Sequence, residues 1–390
     1  PDIDFITSPT SYSGRDLELG YPHAMSLVDS IKLHGKLWFD ENDFRTFLAK
    51  NVPPNFPGYT DTFEKTVLSQ RRSFAWTFTN RIGMWWFDMG GGWYDDPRML
   101  SELKLLNRIS HANMNVDGRS VAQIAFVVDD HAAAYLSTSN PYSYSALVKQ
   151  INLLGHIGAP VEIVHVSDLD QLPDYRLYIF PNLIAPREVD RQRVAHKLAR
   201  GGSVLWIGPA GLYREGRMAD ENMENQTGFS LHFAESPATW KITPSDAAKR
   251  WNWAVPASYA CGGGPHIVPV ASESDGQVLG RLAGTKLPAL VAKQQGNKFA
   301  VYSSIPMVPV SLLRAIAEKA GVHCYSSVGD IVWATKGLLA IHAGEAGPRT
   351  IHLTKPHQIR NLWSDEILAE MTDRMEFDLE KHETLLLRLE

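Results

Sequence analysis

The spacing of apolar positions in the first 115 residues switches repeatedly from strand-like runs to helical periodicity. Residues 2–7 (Asp-Ile-Asp-Phe-Ile-Thr) read as a strand, and 24–34 carry Met25, Val28 and Ile31 at helical spacing. A short apolar run, Leu37-Trp38-Phe39, then ends in Asp40-Glu41-Asn42-Asp43. Residues 62–80 predict a helix with Phe63, Val67, Phe74 and Phe78 on one face. Residues 83–87 (Gly-Met-Trp-Trp-Phe) predict another buried strand, followed by Asp88 and a glycine-rich turn to Trp93 and Tyr94. Pro97 suits the first turn of a helix over 97–113. Strand followed by helix, three times over, implies parallel strands. These are three units of a (β/α) barrel, which needs eight to close.

A second α/β pattern begins near Val121 after Asn115-Val116-Asp117-Gly118. Strands are expected over 123–128, 161–166, 177–180 and 203–207, and helices over 142–157 and 188–200, the pattern of a doubly wound sheet. Residues 208–296 are less regular and include the turn Cys261-Gly262-Gly263-Gly264-Pro265. A last strand and helix are expected over 299–303 and 312–321. In the tail, 338–342, 350–353 and 385–389 read as short strands between turns, predicting a small antiparallel β-sandwich. The expected domains are 1–116, 117–328 and 329–390. The fold class is α/β: a partial barrel, a doubly wound sheet and a small sandwich.

Composition narrows the chemistry. The 390 residues are 44% hydrophobic and 21% charged, ordinary for a globular protein. A net charge of −5 argues against a nucleic-acid partner, whose footprint would be basic and clustered. No apolar run reaches membrane-span length, and none reads as a signal peptide, so no membrane partner and a cytoplasmic location are expected. Two cysteines, Cys261 and Cys324, make neither a disulfide framework nor a CxxC zinc site, although one bridge between them is left open. The histidines show no paired ligand spacing, so no metal and no cofactor are expected. Eleven tryptophans suit sugar stacking if they gather in a cleft, and core packing if buried singly.

Carboxylates at the carboxyl end of a barrel strand stand where that fold places its chemistry. Glu41 is the leading candidate: a retaining glycosidase needs a carboxylate nucleophile about 5 Å from a second carboxyl acting as acid and base. The competing reading is an ion pair with Lys36 or Arg45. Asp88 ends the next strand and is the second catalytic candidate, against a role capping its own loop. Trp38, Trp86, Trp93 and Tyr94 are candidate substrate-binding aromatics, although Trp85 or Trp86 should face a core. Tyr12 and Arg15, with Asp16, sit in the first strand-end loop and are candidates for binding sugar hydroxyls. Strand alternation sends Asp40 to the side opposite Glu41. Asp129-Asp130-His131 follows a strand and resembles a metal or catalytic triplet, but three polar residues ending a strand are ordinary and that reading is preferred; Ile207-Gly208-Pro209-Ala210-Gly211 lacks the Lys-Ser/Thr of a phosphate loop.

These stretches together carry a resemblance. Asp29 to Lys36 running into Trp38-Phe39-Asp40-Glu41, then Met84 to Asp88, the sheet from Gln123 to Ile207, and Leu362-Trp363-Ser364 resemble the carboxyl-terminal part of family 42-type β-galactosidases. The resemblance covers nearly the whole chain and rests mainly on domain order. It implies the end of a catalytic barrel, a Rossmann-like trimerisation domain related to glutamine amidotransferases, and a small β-sandwich. The first three strands would be the sixth to eighth of the barrel, with Glu41 at the position of the nucleophile. The amidotransferase cysteine is absent, which makes the middle domain an assembly module and disfavours an amidase reading.

One departure is large. The family's acid/base glutamate follows an asparagine, and no Asn-Glu dipeptide occurs here. The expectation is therefore a retaining β-galactosidase-type hydrolase with a carbohydrate substrate. Its barrel would be completed by the rest of a longer polypeptide, a second chain, or further copies in a homo-oligomer. The alternative is a non-catalytic sugar-binding or assembly protein.

Overall fold

The computed structural model describes the chain apart from residues 1, 19, 54, 138–139, 236, 252–257 and 263–266. Gly263, Gly264 and Pro265 of the expected glycine-rich turn thus lie outside the described residues. The chain divides into two compact units, Pro1–Ala122 with Gly155–Pro160 and His323–Glu390, and Gln123–Leu154 with Val161–Val322. The tail, expected as a segment of its own, shares a unit with the first 122 residues.

In the first unit β1 (Phe5–Pro9), α1 (Val28–Leu33), β2 (Leu37–Asn42), α2 (Phe63–Thr79), β3 (Gly83–Trp86) and α3 (Pro97–Ala112) alternate as the apolar spacing requires. The strands form a parallel sheet in the order β1-β2-β3. Helix starts follow local chemistry. The Thr62 side chain accepts from the Lys65 amide at the head of α2, and Asp96 caps α3 ahead of Pro97. α1 is shorter than its spacing suggests because Ala24 is taken by an antiparallel bridge to Thr10.

The tail forms one five-stranded antiparallel sheet rather than two facing sheets. Its order is Ile331–Ala334, Leu338–His342, Thr384–Leu389, Gly347–Asn361, Ile367–Leu379. A register shift between His352 and His357 bends the long hairpin. Ile351 and Leu353 before the bend, and Ile359 after it, therefore enter one core with Leu339, Ile341, Leu385 and Leu387. α2 packs against this sheet as well as against β3.

The second unit is built on a nine-stranded sheet. Five strands are parallel: Lys298–Ser303, Ser203–Ile207, Leu177–Phe180, Ile124–Val128 and Val161–His165, in that spatial order. Four antiparallel strands extend it: Pro288–Gln295, Gln277–Leu282, Lys241–Pro244 and Tyr259–Ala260. They arise in the stretch that looked irregular in sequence, because edge-side strands of two to eight residues leave little periodicity to read. Residues expected as one helix over 142–157 form a π-helical turn, Tyr144–Lys149, leading into a short α-helix, Gln150–Leu154. No helix among the described residues is long and apolar enough to cross a membrane.

Candidate active site

The two faces of β2 have opposite environments. Trp38, Asp40 and Asn42 are buried, with Trp38 only 2% exposed. The Asn42 amide lies 3.9 Å and the Thr77 hydroxyl 3.7 Å from the Met84 sulfur, which identifies this face as the one α2 covers. Leu37, Phe39 and Glu41 alternate onto the other face, where Leu37 is exposed and Phe39 and Glu41 are half-buried. Register sets Glu41 between Pro9 of β1 and Trp85 of β3. Trp85 is exposed there, with its indole N–H 3.4 Å from the Thr7 hydroxyl. Phe5 and Phe39 meet edge to face on the same surface, centroids 5.6 Å apart.

Glu41 makes no ion pair with Lys36 or Arg45 among the described residues. The Arg45 guanidinium instead lies 3.4 Å over the Phe56 ring. Partial desolvation raises the Glu41 pKa, the Asp43 charge raises it further, and the Arg15 guanidinium opposes both. That guanidinium is itself buried. Its Nη2 donates to Asp43 Oδ1 at 2.5 Å, and Nε and Nη2 donate to the Thr10 carbonyl at 3.1 and 2.9 Å. The Tyr12 ring packs 3.8 Å from it and donates its hydroxyl to Asp43 Oδ2 at 3.3 Å. Arg15 is thus held inside the protein as the partner of Asp43, two residues from Glu41. Tyr12, half exposed, is the group of this trio open to solvent.

The loop that carries Arg15 is gripped from behind. The fully buried Arg72 guanidinium of α2 donates to the carbonyls of Asp16 (2.5 Å), Gly20 (3.1 Å) and Arg15 (2.7 Å). His342, buried in the tail sheet, donates Nε2–H to the Leu17 carbonyl at 2.9 Å, leaving Nδ1 to accept from the Thr384 hydroxyl. Desolvation pushes the His342 pKa well down, so the ring is neutral.

The other expected site residues are placed differently. Trp38 lies on the covered face and cannot present a ring to substrate. Asp88 accepts the Trp93 amide on Oδ2 at 3.1 Å, closing the loop whose Gly91 and Gly92 adopt φ of 75° and 79°. The carboxylate is a loop cap. Trp93 is buried, its carbonyl held by the Thr46 hydroxyl. Tyr94 donates to the Asn42 carbonyl at 3.3 Å, and Trp86 packs on Tyr94 on the helix side. The aromatic beside Glu41 is Trp85. Parallel register would have found it, since the residue opposite Glu41 shares its face.

In the second unit the Asp129 carboxylate accepts the His131 amide, and Asn182 brackets its backbone through two hydrogen bonds. This is a strand end fixed in place. The Tyr142 hydroxyl lies 2.8 and 2.9 Å from the carbonyl oxygens of Pro181 and Ile207. A Cβ at Gly208 would fall 2.1 Å from that oxygen, so the ring fills the strand-end turn and demands glycine there. Cys261 is buried, its thiol pushed up to about 12 by desolvation. Among the described residues no three His, Cys, Asp or Glu side chains are grouped to hold a metal, and neither cysteine is in a disulfide.

No protein-family model matches the sequence, and no curated protein is detectably similar to it. Solved structures are similar. The polyextremophilic β-galactosidase of the Antarctic haloarchaeon Halorubrum lacusprofundi superposes with a TM-score of 0.64 at 12% identity, over 97% of this chain and 59% of that one. The cold-adapted β-galactosidase of Rahnella sp. R3 gives 0.63 at 14%, over 97% and 57%. A catalytic mutant of Gan42B, a GH42 β-galactosidase from G. stearothermophilus, gives 0.57 at 15%, over 83% and 50%. The chain has a mixed α/β fold similar to that of GH42-type β-galactosidases. It spans between half and three fifths of the length of those enzymes.

Proposed function

We propose that the chain supplies the nucleophile side of a retaining glycoside hydrolase of the β-galactosidase type, with Glu41 as nucleophile. The observation that carries this reading is the position of Glu41 at the carboxyl end of β2, in register with the exposed Trp85. A Glu41 carboxylate would attack the anomeric carbon while a second carboxyl protonates the departing oxygen. Water would then cleave the glycosyl ester, with the second carboxyl now accepting the proton. Trp85 offers a ring face to the sugar. The buried Arg15–Asp43 pair fixes the electrostatics of the nucleophile: removing Asp43 alone would leave Arg15 to lower the Glu41 pKa. Glu41→Gln in the complete protein should abolish turnover of an aryl β-galactoside while leaving the melting temperature unchanged, and an unchanged rate would refute the assignment. The absence of any Asn-Glu pair favours one competitor, a sugar-binding protein without turnover. Calorimetric binding of galactosides with no hydrolysis across a panel of aryl glycosides would select it.

The same reading has a consequence for assembly. Phe5, Leu37 and Trp85 are 56%, 59% and 41% exposed on a sheet with unpaired strands at both edges. Such surface drives association. Further β/α units, from a longer polypeptide, a second chain or another copy, would cover it and bring the second carboxyl opposite Glu41. The 390-residue chain alone should self-associate or aggregate in light scattering at micromolar concentration. A stable, non-aggregating monomer would contradict this.

A further inference from the structure

One cavity of the first unit has a charge opposite to that of the chain. It measures about 760 Å³ and lies among residues 115–121, the Lys336 turn, the bent hairpin and the last strand. Its lining includes Arg119, Lys336, Lys355 and Arg388 against Asp117 and Glu390, a balance of +2 in a chain of −5. Both acids are already matched. Asp117 pairs with Arg119 at 2.5 Å, and Glu390 accepts from Arg388 Nε at 2.8 Å. Lys336, in a turn, and Lys355, on the bent hairpin, make no ion pair among the described residues. The lining is mixed, with Val121, Leu353 and Leu389 beside Tyr325 and Thr335. Burial and the Lys355 charge lower the His357 pKa, which keeps that imidazole neutral and able to hydrogen-bond.

We propose that this cavity binds an anionic saccharide of about disaccharide size, its sulfate, phosphate or carboxylate held by Lys336 and Lys355 and its body against the mixed polar and apolar lining. The volume falls within the range of small-molecule sites. Cations concentrated in a concave, partly apolar wall attract an anion more strongly than the same charges on an open surface. The site is independent of Glu41.

Calorimetry on the complete protein tests it with sulfated cellobiose, neutral cellobiose and inorganic phosphate as probes. Cellobiose keeps galactoside subsites out of the readout. Sulfated cellobiose should bind more tightly than either other probe, with affinity falling as salt rises. The exposed double variant Lys336→Glu/Lys355→Glu should weaken binding by about tenfold or more. The remote charge reversal Arg374→Glu, and Glu41→Gln, should leave it unchanged. Equal binding of neutral and sulfated cellobiose, phosphate binding as tightly as the sulfated sugar, or an affinity indifferent to the double reversal would each overturn the proposal. Loss of binding in Glu41→Gln would also overturn it, by moving the ligand to the other site. Galactoside turnover by the double variant reads the Glu41 assignment separately.

Discussion

Asp40 and Glu41 are neighbours in sequence and opposites in setting. Asp40 is fully buried and accepts the Thr10 hydroxyl at 2.8 Å, and desolvation raises its pKa from 3.8 to about 7. The folded state therefore holds a proton that the unfolded chain has released by about pH 5. The sign follows: Asp40 opposes folding least at about pH 4 and below, and stability declines as pH rises toward 7. Asparagine keeps the acceptor for Thr10 and abolishes the charge. Asp40→Asn should raise stability at pH 8 by about 1–3 kcal/mol and change little near pH 4. Thermal melts by circular dichroism at the two pH values check this, and equal shifts at both would contradict it. For Glu41 the shift is also upward, so turnover should fall on the acidic side at a pH above the ordinary glutamate value. The separation of the pair was legible, because period-2 alternation needs only the strand. The choice of Trp86 over Trp85 was not, since it requires knowing which β3 residue stands beside Glu41.

At the scale of elements, α2 shows where sequence reading stops. The helix was legible from Phe63, Val67, Phe74 and Phe78. Its buried positions, however, include Thr66, Ser69, Gln70, Arg72, Ser73 and Thr77, a polar set that apolar periodicity would send to solvent. The reason is long-range: Arg72 serves carbonyls of a loop more than fifty positions earlier, and nothing local announces that partnership. The burial of Arg15 and Trp93 is illegible in sequence for the same cause. Each sits in a loop rich in tyrosine, glycine or aspartate that reads as a ligand-facing rim and is closed by contacts from other segments. Arg72 and His342 together act as a backing for residues 14–20 and hence for the Arg15–Asp43 pair beside Glu41. Arg72→Met should destabilise the first unit by about 2–4 kcal/mol, by stranding those carbonyls. Amide exchange over residues 14–20 should quicken more than over the nine-stranded sheet. Uniform exchange across both units would show that Arg72 does not act through the loop.

For the whole molecule, strand and helix order was legible in residues 1–115 and in the parallel strands of the second unit, because buried parallel strands are near-continuous apolar runs. The attachment of the tail was not, since periodicity says which face of a strand is buried and not what buries it. The polar, short-stranded extension between 208 and 296 hid for want of pattern. The Glu41 assignment rests on the least ambiguous of these signals, a short buried strand ending in acid, and it is also the claim on which the function turns. Its most direct test is covalent trapping. The complete protein is incubated with a 2-deoxy-2-fluoro β-galactoside carrying a good leaving group, digested, and mapped by mass spectrometry. The account predicts one glycosyl adduct, on the peptide containing Glu41, with stoichiometric loss of activity. An active enzyme that is trapped on a different carboxylate, or that turns over without any trapped ester, would contradict it.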